Sequence, residues 1–407
     1  VAATSTAETR RDVSVMAIIG IAHACSHFLQ LAMPAVFLAI RRDWDISFTS
    51  LGMAATVFYV TSGICQTLAG FAVDRFGARR MLYMGLGFFS GAVALMAIAP
   101  NFAVLLACMV VAGIGNSMFH PADYGILNAS VTPKRLGPAF SVHGITGNIG
   151  WALAPPLMTA FSLWFGGWRG ALFGASALGF ATLALVHLRR ELFEPLPEAI
   201  TPQATPSGAR AGSSAVLLSL PIIMCFMFFL LLAAGLIGIQ TFGIPTLNQS
   251  MHLSQELAAI ALTTFLVASG AGVLAGGVVA AHTSAHEHVA AAGMAAAAVF
   301  LVATTVPGLA PWGILFCLSA AGFFSGLTNP SRDLIVRAAA PKGSTGKVYG
   351  FVYSGLDAGS ALAPLAFGYL LDHGQGAGVF YGASIAWIAT IATIYLMKNP
   401  PGAHGKA

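Results

Sequence analysis

The sequence predicts an all-α integral membrane protein, twelve transmembrane helices in two pseudo-twofold-related six-helix bundles, and three observations predict it. Charged residues are 8% of the 407-residue chain and hydrophobic residues 57%, with a mean hydropathy of +0.81. That is too little charge to cover a soluble surface of this size. Twelve apolar stretches follow one another, each near the roughly 20 residues needed to cross about 30 Å of hydrocarbon. They lie at 14–40, 48–73, 81–99, 102–130, 138–165, 168–188, 214–245, 256–281, 288–307, 311–337, 345–371 and 377–397. Finally, the two halves repeat. A gapless shift of 209 residues places Gly113 on Gly322, Pro121 on Pro330, Gly150 on Gly359 and Ala152-Leu153-Ala154-Pro155 on Ala361-Leu362-Ala363-Pro364.

The elements follow in order. Residues 1–13 read as a polar cytoplasmic tail with no cleavable apolar segment of its own, so 14–40 is a permanent span. Residues 14–188 form the N-terminal six-helix bundle. A linker over 189–213 carries Pro195, Pro197, Pro202 and Pro206 and a Gly/Ser-rich end. The C-terminal bundle runs from 214 to 397, and 398–407 is a second tail. With both termini cytoplasmic, 15 of the 19 Lys and Arg fall inside, Arg41, Arg42 and Arg169 fall outside, and Arg332 sits near a boundary. The positive-inside rule fixes that orientation. Cys25, Cys65, Cys108, Cys225 and Cys317 are scattered through apolar stretches and read as small buried hydrophobes, not a disulfide or zinc framework. No basic face interleaved with aromatics points to nucleic acid. Neither a nucleotide-binding loop nor a hydrolytic triad is present.

Between the second and third spans lies Gly70-Phe71-Ala72-Val73-Asp74-Arg75-Phe76-Gly77-Ala78-Arg79-Arg80. This Asp-Arg-x-Gly-x-Arg-Arg turn resembles the signature loop of the major facilitator superfamily. The resemblance spans essentially the whole chain and implies the major facilitator fold, with alternating access as the mechanism. It also implies a gating role for Gly70, Asp74, Arg75, Gly77 and Arg79: the glycines would let two helices approach, and Asp74 would meet a helix N-terminus or an arginine as a cytoplasmic latch. The counterpart from Gly277 to His288 lacks both the acid and the arginines. Its His282, His286, Glu287 and His288 read as a decayed copy of the loop, so no metal site is expected there. Phe119-His120-Pro121, with Gly147-Asn148-Ile149-Gly150 before Ala154-Pro155, is similar to the fosmidomycin-resistance branch, whose members are proton-driven exporters of small drugs. The acid expected directly after the proline is displaced here to Asp123, and Met109 stands where drug antiporters often carry an arginine.

Polar residues inside spans are the candidate site, because a polar side chain at that depth is costly and usually faces a wet cavity. His23 and His27 are four apart on one helix face, followed by Gln30 and a kink-prone Pro34; hydrogen bonding between helices is the alternative role for the histidines. Asp357 is the acid nearest mid-membrane, beside Tyr353 and repeat-related to Asn148; it could bind and release a proton, or hold two helices together. The shift superposes Asp123 on Arg332 and His120 on Asn329. The first pair is expected either to close an inner gate as a salt bridge, or to split its roles, with Arg332 meeting an anionic solute while Asp123 and His120 manage protons. The substrate-binding set is therefore His23, His27, Gln30, Tyr59, His120, Asn148, Asn329, Arg332, Tyr353 and Asp357. Proton coupling falls to Asp357, His27 and Asp123, and Asp123 and Arg332 join the gate.

The predicted function is a proton-coupled secondary transporter of a small organic solute, with efflux favoured by the resemblance. It is expected to act as a monomer in the lipid bilayer of a bacterial-type cytoplasmic membrane, without cofactor. Uptake of an organic anion, such as a carboxylate or a metal-chelating carboxylate, is the second reading. A membrane sensor or a metal-dependent membrane enzyme is a third.

Overall fold

The computed structural model describes residues 2–193, 218–339 and 345–398; most of the linker and the tail beyond 398 lie outside these described residues. Regular structure among them is helical throughout. In chain order the helices are α1 Ala2–Ala35, α2 Phe37–Trp44, α3 Phe48–Phe76, α4 Ala78–Ala97, α5 Phe102–Ser117, α6 Phe119–Ser130, α7 Leu136–Trp164 and α8 Gly167–Leu188. The second half continues with α9 Leu220–Ser250, α10 Gln255–Ala281, α11 His286–Ala303, α12 Pro311–Leu327, α13 Asn329–Ala339, α14 Thr345–Asp372 and α15 Ala377–Lys398. Ten segments among the described residues are long and apolar enough to cross a membrane. Helices α7 and α14, of 29 and 28 residues, complete the twelve-helix pattern. Gly, Pro, His, Asn and Asp dilute their apolar character, and these two helices carry several of the candidate site residues.

Three expected spans are interrupted, each beside a proline. Pro121 and Pro330 lack the N–H that would bond four residues back, so α5 gives way to α6 at Met118 and α12 to α13 at Thr328. Similarly, α1 ends one residue after Pro34 and resumes as α2. Residues 2–13, expected as a polar tail, are helical and continue α1. Asp12 is fully buried there, accepting a hydrogen bond from the Thr132 hydroxyl at 2.7 Å and pairing with Arg135 at 2.9 Å.

The chain forms two compact units, Val1–Asp45 with Val57–Thr205, and Ile46–Thr56 with Pro206–Ala407. In the first unit α1 packs along α7; in the second α9 packs along α14. Both crossings depend on a missing side chain. A Cβ on Gly150 would overlap the Ala24 carbonyl, and one on Gly359 the Leu230 carbonyl. The first turns of α3 join the second unit because Asp372, ending α14, caps them. Its carboxylate accepts from the Phe48 and Thr49 amides at 2.7 and 2.8 Å and from the Thr49 hydroxyl at 2.6 Å. Further along, the Thr56 hydroxyl donates to the Ala361 carbonyl at 2.6 Å.

The signature loop is a tight turn. Gly77, at φ 88°, sits in the left-handed region and bonds back from its N–H to the Val73 carbonyl at 2.8 Å. One expectation for this loop is corrected. A Cβ at Gly70 would touch nothing within 4 Å, so no close helix approach depends on it. Asp74 is exposed and joins none of the ion pairs among the described residues. Arg75 and Arg79 are likewise exposed.

Candidate functional site

Within the first unit, α1, α6 and α7 bring four imidazoles and one carboxylate together. His23 and His27, one turn apart on α1, lie with ring centroids 4.4 Å apart. His120, in the first turn of α6, approaches both, at 5.3 Å from His23 and 6.2 Å from His27. His143 on α7 stacks on His23 at 3.5 Å. Asp123, one turn beyond His120, meets His143 Nε2 through Oδ2 at 3.1 Å. His23, His27, Asp123 and His143 are all buried, while His120 is half-buried.

The helix break and one glycine create this cluster. The interruption at Met118 lets α6 start anew and carries His120 and Asp123 on its first two turns. A Cβ on Gly147 would collide with the His23 and His27 rings, so the glycine leaves the space they occupy. Hydrogen bonds then set the ring orientations. The His143 carbonyl accepts from His23 Nδ1 at 2.7 Å and from the Thr146 hydroxyl at 2.9 Å. A carbonyl only accepts, so His23 Nδ1 carries the proton.

A chain of neutral polar groups adjoins the imidazoles. Trp151, its ring 4.3 Å from His27, donates through Nε1 to Gln30 Oε1 at 2.9 Å. Gln30 Nε2 donates to Asn116 Oδ1, and Asn116 Nδ2 to the Ser62 hydroxyl, both at 2.8 Å. Together they join α1, α3, α5 and α7. A fully satisfied network of this kind holds one side-chain arrangement in a surrounding of low polarity.

The second unit gathers a smaller cluster. Arg332 donates to Asp333 at 2.9 Å and to Asn329 Oδ1 at 3.2 Å, with its guanidinium 4.8 Å from the Phe229 ring centroid. The Tyr353 ring packs 4.8 Å from Phe229, and its hydroxyl lies 3.4 Å from Asp333. Asp357 follows one turn later on α14 and is half-buried.

The predicted residues therefore fall into groups. His23, His27, His120, Asp123 and Gln30 converge in the first unit, and Asn329, Arg332 and Tyr353 in the second. Asp123 pairs with His143 in the first unit and Arg332 with Asp333 in the second, since a desolvated charge takes a compatible group close at hand. Asn148 bonds back to the Gly144 carbonyl of its own helix at 3.1 Å, and Tyr59 packs its ring against Phe58. Missed from the sequence were His143, Trp151, Asn116, Ser62 and Asp333. A signal for two of them was present: His143, Gly147, Gly150 and Trp151 recur at helical spacing on the face of α7 that meets α1. Gln240 on α9 was also missed; it is 2% exposed with both amide atoms unpartnered. A groove of about 670 Å³ between α11 and α15, lined by residues such as Val299, Val302 and Ile385, is apolar and contains none of these groups.

Comparison with known proteins follows the same lines. The family model described as Major Facilitator Superfamily matches residues 16–243 and 226–407. The "Uncharacterized MFS-type transporter YfnC" of Bacillus subtilis is 31% identical over 43% of this chain and 42% of its own length. The "Fosmidomycin resistance protein" of Escherichia coli is 26% identical over 68% of this chain and 67% of its own length. The chain thus spans between about two fifths and two thirds of these relatives. Among solved structures, an inward-facing, occupied bacterial homolog of the human lysosomal transporter Spinster superposes with a TM-score of 0.79 at 13% identity, covering 95% of this chain and 96% of that one.

Proposed function

Because the chain belongs to the Major Facilitator Superfamily, and is therefore a multi-pass membrane transporter and not an enzyme, we propose that it moves a small organic solute by alternating access, coupled to protons and in the direction of export. The observation that carries this reading is the buried polar cluster of α1, α3, α5, α6 and α7. Imidazoles, amides and a carboxylate are costly inside apolar helices and are retained where a polar solute must be met. His23, His27, His120 and Gln30 are the contacts proposed on the first unit. Asn148, Tyr59, Asn329, Tyr353 and Asp357 complete the set.

Asp357 is the proposed proton carrier. It is half-buried in a membrane helix and joins none of the ion pairs seen among the described residues, while nearby Arg332 pairs with Asp333. A carboxylate so placed can take a proton from one side and release it to the other. Export is supported by the relative named for fosmidomycin resistance, since lowering internal concentration confers resistance. Uptake of an organic anion would call for an uncommitted cation, and Arg332 already has Asp333 at 2.9 Å. The excess of basic residues in the loops assigned to the inside supports a bacterial cytoplasmic membrane with both termini cytoplasmic.

The test uses proteoliposomes and labelled fosmidomycin as the probe. An imposed pH gradient should drive its accumulation against a concentration gradient. Asp357→Asn should abolish gradient-driven accumulation while solute exchange persists. Full gradient-driven transport by Asp357→Asn would remove the proton role from this residue. In cells, expression should lower internal probe; a rise would reverse the direction.

A further inference from the structure

The imidazole cluster has a property that solute transport does not call for. His23, His27 and His120 each offer one ring nitrogen within 4.8 Å of the others'. In the same cluster His23 Nε2 and both ring nitrogens of His27 are buried without any hydrogen-bond partner. Buried polar atoms normally find partners, so three orphaned ring nitrogens in one place call for a ligand.

The tautomer sharpens the point. His23 Nδ1 must donate to the His143 carbonyl, which leaves Nε2 of the neutral ring with a bare lone pair. A ring that donates one N–H to a backbone carbonyl while its other nitrogen stays free is the arrangement that orients histidines on metal ions. Behind it, His143 stacks on His23 and is itself held by Asp123, whose Oδ1 is a further buried acceptor without a partner. That carboxyl group offers an oxygen acceptor close to where a cation would sit.

We propose that His23, His27 and His120 bind one divalent transition-metal ion of the zinc, cobalt or nickel class. Three neutral imidazoles suit these borderline ions and not magnesium or calcium, which prefer oxygen. Nitrogens about 2.0–2.1 Å from a tetrahedral ion stand about 3.3 Å from one another. The rings must therefore close in by an ångström or so from the 4.8 Å limit, a shift within reach of side-chain rotation. His120, the half-buried member, is the side from which the ion arrives, and the fourth position is left to water or to an anionic group of a solute. The alternative trio of His23, Asp123 and His143 is less suited, since Asp123 and His143 already bond each other. This inference does not depend on the direction or coupling of transport.

Full-length protein, purified in detergent and stripped with chelator, is titrated with cobalt(II), whose visible absorption reports tetrahedral nitrogen ligation; zinc is then added to displace it. One equivalent should bind, and zinc should raise the unfolding temperature. His27→Ala and His120→Ala should each weaken binding by about tenfold or more. A control with His282→Ala, His286→Ala and His288→Ala together should leave binding unchanged. Unfolding temperatures recorded without metal separate lost ligands from lost fold. Absence of binding by zinc, cobalt and nickel alike, or equal binding in the folded His27→Ala and His120→Ala variants, overturns the site. Solute flux is not the readout, so a failed transport assay would leave this result standing, and the reverse also holds.

Discussion

Helices α1 and α7 in the first unit and α9 and α14 in the second make the same crossing with different chemistry. Gly150 and Gly359, related by the 209-residue shift, each seat one backbone on another. Around that shared joint the side chains diverge. Ala24 lies against Gly150 as Leu230 lies against Gly359, which sets Phe229 and Ala233 in the places of His23 and His27, and Val352 stands in the place of His143. Conversely, Asn148 becomes Asp357 and Asp123 becomes Arg332. Backbone packing is thus what the repeat keeps, because a carbonyl lying where a Cβ would go tolerates no side chain. The polar positions are free to differ, and one unit has concentrated imidazoles where the other keeps an apolar seam.

The largest effects should fall on the shared joint. Gly150→Val and Gly359→Val each force a side chain into a backbone carbonyl, and overpacking costs about 1–3 kcal/mol or more. Both should lower folded yield and thermal stability by similar amounts in detergent. Tolerance of one but not the other would break the equivalence of the two crossings. Next come the acids. Asp123→Ala leaves the buried His143 nitrogen without its acceptor and should cost about 1–3 kcal/mol. Asp333→Ala removes a half-exposed partner of Arg332 and should cost no more than about 1 kcal/mol. Equal losses in unfolding temperature would mean the two clusters are equally structural. A further variant sharpens the picture within the first unit. Gln30→Ala breaks two side-chain bonds at a half-buried position, worth about 0.5–1.5 kcal/mol each. It should weaken solute binding more visibly than it lowers unfolding temperature.

Much of this was legible in the sequence, for physical reasons. Hydrophobic length reveals spans because a helix crossing lipid must be apolar for about 20 residues, and the invariance of glycine and proline positions under the 209 shift reveals the repeat. His23, His27 and His120 stood out because imidazoles are rare at membrane depth. The partnership of Asp123 was not legible. The shift relates positions by depth within each unit, but it does not say which side chains touch; His143, on the next helix, was nearer to hand. His143 itself has an apolar repeat mate, so symmetry drew no attention to it. Asp12 drew no attention because a polar N-terminal run looks like a tail until a half-buried arginine and a buried threonine claim its acid. The proline interruptions were visible only as composition, since proline in a membrane helix can be absorbed, as Pro155 and Pro156 are within the unbroken α7.

The capping of α3 by Asp372 has a practical corollary for anyone dividing this protein. A gene cut in the linker would appear to yield two self-sufficient pieces, six helices apiece. Yet eleven residues, Ile46 to Thr56, which include the first turns of α3, belong with the later piece although the earlier one encodes them. Synthesised alone, the later fragment would present an aspartate with two amides and a hydroxyl missing from its grasp, and co-expression of both fragments should restore what either lacks.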